Sequence, residues 1–412
     1  NVAVGHQALF TNTTGANNTA IGKNSLYYNT TASANTAVGN LALTANTTGA
    51  NNTGVGNNVL TANTTGASNA AVGVDALDAN TTGSNNVAVG KGALTANTTA
   101  SNNIAIGEAS LLTNTTGASN VSVGGGGAMY YNTTGATNVA VGLAALKDNT
   151  TADNNTAIGA YALTNNTTGA GNTAMGEQSL EDNTTGYDVV AIGVHAGCQH
   201  TTGYQSVYVG TNAGRNNTTG NSNVAVGHIA LCTNTTGTDN VVVGCGAGCS
   251  ITTGSNMTFV GRSAGANATT GSQNHAFGIN AGTDSVKNIT TENHQIVIGN
   301  NGSTHAFIKI DWTVTSDLRD KTNIEDVPHG LNFVNKITPI EYRFKKSRED
   351  DTPTGDKKYG FDAQEILTLE GDNNVIINDE DKENLKLTTA HLVPVLVNAI
   401  KELSAEIEEL KK

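Results

Sequence analysis

A serine and a lysine stand five residues apart, Ser316 and Lys321, in the stretch "VTSDLRDKTNI" at 314–324. A hydroxyl is a poor nucleophile until a base removes its proton, and a lysine amine serves as that base when desolvation favours its neutral form. Five extended residues are too long for direct contact, so the chain must turn between them or the lysine must come from a neighbouring subunit. Asp317 and Arg319, opposite charges inside the same stretch, are read as fixing that turn by pairing rather than as performing chemistry. Metal-ligand residue types occur in "HAGCQH" (His195, Cys198, His200) and "CGAGC" (Cys245, Cys249), but ordinary zinc spacing is missing, and neither metal nor cofactor is expected. Asn-Thr-Thr matches the glycosylation sequon at Asn12, Asn46, Asn63 and Asn80. It is read as a turn that recurs because a structural unit recurs.

The serine marks the sharpest compositional break in the chain. Over 412 residues only 13% are charged and 4% aromatic, while 48 are Gly. Residues 1–300 hold 6 Lys/Arg and 12 Asp/Glu, hence −6; the rest hold 15 and 22, hence −7, and the two make the net −13. All four prolines (Pro328, Pro339, Pro353, Pro394) lie in the second part. Three stretches follow: a repeat over 1–300, a junction over 301–315 that includes Trp312, and a small domain over 316–412. The acidic balance argues against nucleic acid as a partner, and no apolar run is long enough for membrane insertion. The four cysteines give no disulfide framework. A start at Asn1, without Met or a leader, is read as that of a fragment or a processed product, with partner proteins expected to be contacted through a missing N-terminal part.

The repeat has a period of 17. A glycine closes each "NTAVG"-like block from Gly5 to Gly299 in eighteen copies, with a one-residue slip at "GGGGAMYY" (124–131) and a longer last step. So short a period means one solenoid coil per copy, burying its face only against its neighbours. The apolar residue before each glycine (Val4, Ile21, Val38, Val55) is expected to face inward on a short strand, with Ala and Leu three and four places after the glycine. Stacked at the strand spacing of about 4.8 Å, the coils make a rod of roughly 80 to 90 Å. Its core is thin, which favours lateral association, in threes by our reading. The block resembles the head repeats of trimeric autotransporter adhesins, which implies a parallel β-roll within a trimer.

Beyond the repeat, "TPIEYRFKKS" (338–347) alternates as a half-buried strand, with Ile340, Tyr342 and Phe344 on one face. "DDTPTGDKK" (350–358) reads as a loop, "KYGFDAQEILTL" as a strand or turn entering a helix, and "NNVIINDEDKENLKLTTAHL" as a small hairpin. The terminal helix, over 390–412, carries a heptad seam of Val393, Leu396, Ile400, Leu403, Ile407 and Leu410, read as a coiled coil. Residues 316–412 resemble the intramolecular chaperone and auto-processing domain of phage endosialidase tailspikes and other phage fibres. The resemblance rests on Ser316-Asp317-x-Arg319-x-Lys321 with Ile324, on Pro339 with Tyr342 and Phe344, on Gly360-Phe361-Asp362-Ala363-Gln364-Glu365, and on "LVPVLVNAIKEL". It implies cleavage between Thr315 and Ser316, with Ser316 as nucleophile and Lys321 as base. It also implies supporting places for Asp317, Arg319, Gly360, Gln364 and Glu365. Asp320 departs from the pattern, a carboxylate where an aliphatic residue is usual.

The fold expected is mainly β: a parallel solenoid, then a small α+β domain ending in a coiled-coil helix. The function expected is that of a phage tail fibre in the virion, a homotrimer binding a host cell-surface receptor, either a glycan or an outer-surface protein. Proteolysis would be a single intramolecular event of a Ser/Lys peptidase. A bacterial surface adhesin or an ice-binding solenoid are the alternatives.

Overall fold

The computed structural model describes residues 1–303, 306–307, 316–345, 348–372, 374–380 and 382–412. They form two compact units, Asn1–Asn300 and Asn301–Lys412. Most of the expected junction, Trp312 included, lies outside the described residues.

The first unit is a parallel β-solenoid of eighteen three-residue strands, β1 (Val2–Val4) to β18 (Ile296–Ile298), each paired in register with the next. Successive partners are one repeat apart, as Ala20 is from Ala37. The slip at 124–131 is absorbed in a turn, because Val121–Val123 still pairs in register with Val139–Val141. In a three-residue strand the middle side chain points to one face and its neighbours to the other. Here the middle residue faces inward: Ala20 is 0% exposed and Ile21 39%. The expectation that the residue before each glycine is the inward one is therefore corrected. Ala at the strand centre, Ala42 and Leu43 (or their equivalents) already fill the narrow interior, and the β-branched residue is left outside. The glycine that follows is required twice over. Gly22 has φ +133°, and a Cβ there would lie 2.2 Å from the Gly39 carbonyl oxygen of the next coil.

Two buried asparagine ladders do what hydrophobic bulk cannot. From Asn29 to Asn183, each Nδ2 donates to the Oδ1 one coil earlier, beginning with Asn12 as acceptor, at 2.7–3.1 Å. The same group donates to a turn carbonyl in its own coil, as Asn46 does to Gly49 at 2.9 Å. A second row ties each strand entry to the coil before it: Asn35 N donates to Asn18 Oδ1 at 2.9 Å. A buried amide left unpaired costs about 1–3 kcal/mol, so these rows fix the stacking register strongly. Asn46, Asn63 and Asn80 are fully buried, so their sequons offer no accessible amide to a glycan.

Where later copies replace Leu by Gly, a larger strand residue has taken the space. Tyr208 is fully buried at a position usually held by Ala. A Cβ on Gly197 or Gly214 would come within 2.7 or 2.2 Å of its ring. Phe259 and Gly265 repeat the exchange, at 2.3 Å.

The second unit holds a one-turn helix α1 (Leu331–Val334), a ribbon of β19 (Pro339–Lys345) and β20 (Pro353–Phe361), and α2 (Ala363–Glu370). A short pair β21 (Ile377–Asn378) and β22 (Lys386–Leu387) follows, then α3 (Thr389–Leu410). Phe333, Ile366, Ile376, Ile377, Leu392 and Val395 make its core. Two expectations are corrected. Residues 353–358 lie in β20 rather than in a loop, because antiparallel pairing to β19 satisfies a backbone whose side chains signal only turn. β19 is not half-buried: Phe344 is 58% exposed and only Tyr342 is partly covered.

Candidate active site

The segment after Ser316 turns because its own side chains fold it. Asp317, extended at φ −70° and ψ 133°, caps a single 3₁₀ turn over Leu318–Asp320 by accepting from Arg319 N at 2.9 Å. The Arg319 guanidinium returns to the same carboxylate, with Nε 3.0 and 3.1 Å from its two oxygens. Hydrogen bonds from this side chain and from the Arg319 backbone hold the Asp317 carboxyl below its usual range. Lys321 closes the turn, its N–H donating to Leu318 O at 3.2 Å. The result is a close approach: Lys321 Nζ lies 2.9 Å from Ser316 Oγ. Contact within one chain is thus possible despite the five-residue spacing. Asp320 takes part in no ion pair among the described residues. Ser316 and Lys321 are both exposed in the single chain, and Thr315 lies outside the described residues.

This geometry begins where a family relationship begins. The family model described as chaperone of endosialidase (peptidase S74) matches residues 316–372. Residues 316–372 of the second unit are thus similar to that chaperone family. No curated protein matches the chain.

Within the second unit, the expected site residues Gly360, Gln364 and Glu365 are not gathered around Ser316. Gly360 pairs with Ile340 across the ribbon, and a Cβ there would meet Tyr342 Cε1 at 2.9 Å. Gln364 and Glu365 open α2 under the Asp362 cap. Glu365 also reaches across to Thr338, accepting from its N at 3.1 Å and its Oγ1 at 2.9 Å, and so fixes the start of β19. No hydrogen bond or ion pair among the described residues links Gly360, Gln364 or Glu365 to Ser316 or Lys321. Their contacts join the β19–β20 ribbon to the start of α2.

The terminal helix divides its faces. Leu392, Val395 and Ala399 are buried in the domain, and Glu402 accepts from Leu331 N at 2.6 Å. The seam of Val393, Leu396, Ile400, Leu403, Ile407 and Leu410 is 42–87% exposed.

One buried group escaped the sequence reading. Glu370 accepts from the N–H groups of Val375, Ile376 and Ile377 at 2.8, 2.8 and 3.0 Å. Nothing in "LEGDNNVII" marks it, because the three amides converge only once the turn forms. In the solenoid the candidate ligands disperse: Cys198 Sγ is 3.8 Å from Glu181 Oε2, His195 Nε2 is 2.6 Å from Gln178 Oε1, and Cys245 Sγ is 3.9 Å from His228 Nδ1. Among the described residues no group of three or more His, Cys, Asp or Glu converges. Burial, followed by Glu181 and Asp182, pushes the Cys198 thiol up to about 11, away from the thiolate a metal needs.

Proposed function

We propose that the chain is a phage tail-fibre protein of the virion. Its solenoid would form the shaft and host-attachment surface, and its chaperone domain would assemble a homotrimer and then cut itself off between Thr315 and Ser316. The observation that carries this reading is the 2.9 Å contact between Lys321 Nζ and Ser316 Oγ at the first residue of the family match.

The chemistry follows from these two groups. Neutral Lys321 takes the Ser316 hydroxyl proton as Oγ attacks the Thr315 carbonyl carbon. The tetrahedral intermediate collapses by breaking the Thr315–Ser316 C–N bond, and the proton passes from Lys321 to the departing amine of Ser316. Thr315 is then held as an ester on Ser316 Oγ, and water hydrolyses it to a free carboxylate. The event happens once per chain. A base of this kind needs an amine removed from water, yet Lys321 is exposed in the single chain. Assembly supplies the missing cover, so that only correctly assembled chains cut.

Two exposed apolar stripes support self-association. One is the helix seam, and the other is the outward row of Ile21, Val55, Val72, Val89, Ile106 and their equivalents along the solenoid. Exposed apolar area repeated so regularly is characteristic of a surface that another chain covers. Light scattering on the uncut Ser316→Ala chain should give three times the chain mass, and N-terminal sequencing of the small wild-type fragment should begin Ser-Asp-Leu-Arg. A monomer, or a fragment starting elsewhere, contradicts the proposal.

A further inference from the structure

At the coil that holds the one-residue insertion, the solenoid surface carries an open-sided cleft of about 290 Å³. Its walls are Glu108, Ala109, Gly126, Gly127, Tyr130, Tyr131 and Lys147, drawn from three successive coils. Gly126 and Gly127 have φ +65° and +73°, and a Cβ on Gly127 would stand 2.7 Å from the Tyr130 ring, so the glycines let that ring lie against the backbone. Tyr130 and Tyr131 meet edge to face with centroids 4.6 Å apart, and Tyr131 is 47% exposed. The solenoid does not need these rings for its core, which Ala128 and Met129 already supply in this coil.

The sequence Tyr-Tyr-Asn-Thr-Thr also occurs at 27–31. There Phe10 stacks on the Tyr27 ring (5.4 Å, 10°), and no glycine run precedes the pair. The aromatic pair alone is therefore a recurrent surface feature, and the glycine run is what adds a concavity beside it.

We propose that the cleft at residues 108–147 binds a neutral mono- or disaccharide, with Tyr131 as the stacking platform and Glu108 and Lys147 as its polar rim. A pyranose presents a face of C–H groups and a rim of hydroxyls. An exposed tyrosine ring matches the first, while a carboxylate acceptor and an ammonium donor match the second. Glu108 and Lys147 oppose each other in the lining itself, so the cleft walls carry no net charge, and Lys91 stands outside them. Glu108 also has Lys91 Nζ at 3.9 Å, a loose surface pair that leaves its oxygens accessible. The volume suits one or two sugar rings, and so open a site implies affinity on the order of millimolar per site.

This inference rests on reading the repeat region as an attachment surface, and it names the ligand class of that surface. The test is saturation-transfer NMR on the full chain with methyl glucoside, methyl galactoside, methyl mannoside and N-acetylglucosamine as probes. At least one probe should receive saturation, and Tyr131→Ala should weaken its binding at least tenfold, while Tyr28→Ala leaves it unchanged. Ala109→Tyr fills the cleft without straining the backbone, because Tyr161 occupies the same repeat position at φ 58°, close to the 56° of Ala109. It should abolish the signal with an unchanged melting curve. No transfer to any probe, or transfer that survives both Tyr131→Ala and Ala109→Tyr, overturns the proposal. A chain that assembles and cuts itself yet binds no probe contradicts the cleft alone, whereas one that neither assembles nor cuts contradicts the reading beneath it.

Discussion

His200 shows how much a single residue matters in a ladder. It replaces asparagine, donating from Nε2 to Gly203 O at 2.8 Å and accepting at Nδ1 from Asn217 at 3.1 Å. Because it has no donor left for the preceding coil, Asn183 Oδ1 is buried without a partner. Burial lowers the His200 pKa from its ordinary 6.5, the Gly203 bond opposing only in part. Its neighbours Asn183, Asn217 and Tyr208 offer no negative charge, and burial keeps the Tyr208 phenol protonated well above the usual range. The unfolded chain therefore binds this proton more tightly than the folded one. The His200 contribution to stability is complete above pH 6.5 and is lost as pH falls below that value towards the folded pKa. We predict that His200→Asn restores the ladder, raises stability by about 1 kcal/mol, and flattens the melting temperature between pH 7.5 and 5 relative to wild type. A variant with the same pH slope as wild type would show that His200 is not the titrating group.

At the scale of elements, the solenoid was legible in the sequence and its inside was not. Eighteen glycines, all but two of their steps 17 residues long, declare the coils, but Val before glycine looks like core only if the core is assumed to hold the largest β-branched residue. Ala20 and Leu43 fill it instead, and the asparagines that share it look like turn residues when met one at a time. The signal available was their constancy at two offsets per repeat, which turn chemistry alone does not demand. The exchange around Tyr208 is testable as a cycle. Tyr208→Ala should cost about 3–5 kcal/mol by leaving a cavity, and Gly214→Leu about 1–3 kcal/mol by overpacking against the ring. The double variant should recover most of both, since it rebuilds the Ala–Leu core of the earlier coils. Additive losses in urea melts would refute the exchange. In the chaperone domain, Glu370→Ala leaves three amides unpaired and should destabilise that unit by roughly 3 kcal/mol, measured by hydrogen exchange at Val375–Ile377. The ribbon was half legible: alternation marks β19, whereas β20 carries turn residues and owes its form to its partner strand.

At the scale of the whole molecule, the proposed function ties cutting to assembly. Ser316 and Lys321 were visible as a pair at a compositional break, and the turn that unites them follows from the Asp317–Arg319 contact. The cover that would desolvate Lys321 was not legible, because no described residue of the single chain buries it. Ile400→Asp with Leu403→Asp places charges on the exposed helix seam and should abolish assembly and self-cleavage together, read by light scattering and by gel on one sample. Cleavage in a monomer would separate the two. The most direct test is a denaturing gel of wild type beside Ser316→Ala and Lys321→Ala. We predict that wild type resolves into residues 1–315 and 316–412 while both variants remain intact. A wild-type chain that stays whole after assembly, or variants that split as wild type does, would contradict self-cleavage by the Ser316–Lys321 pair.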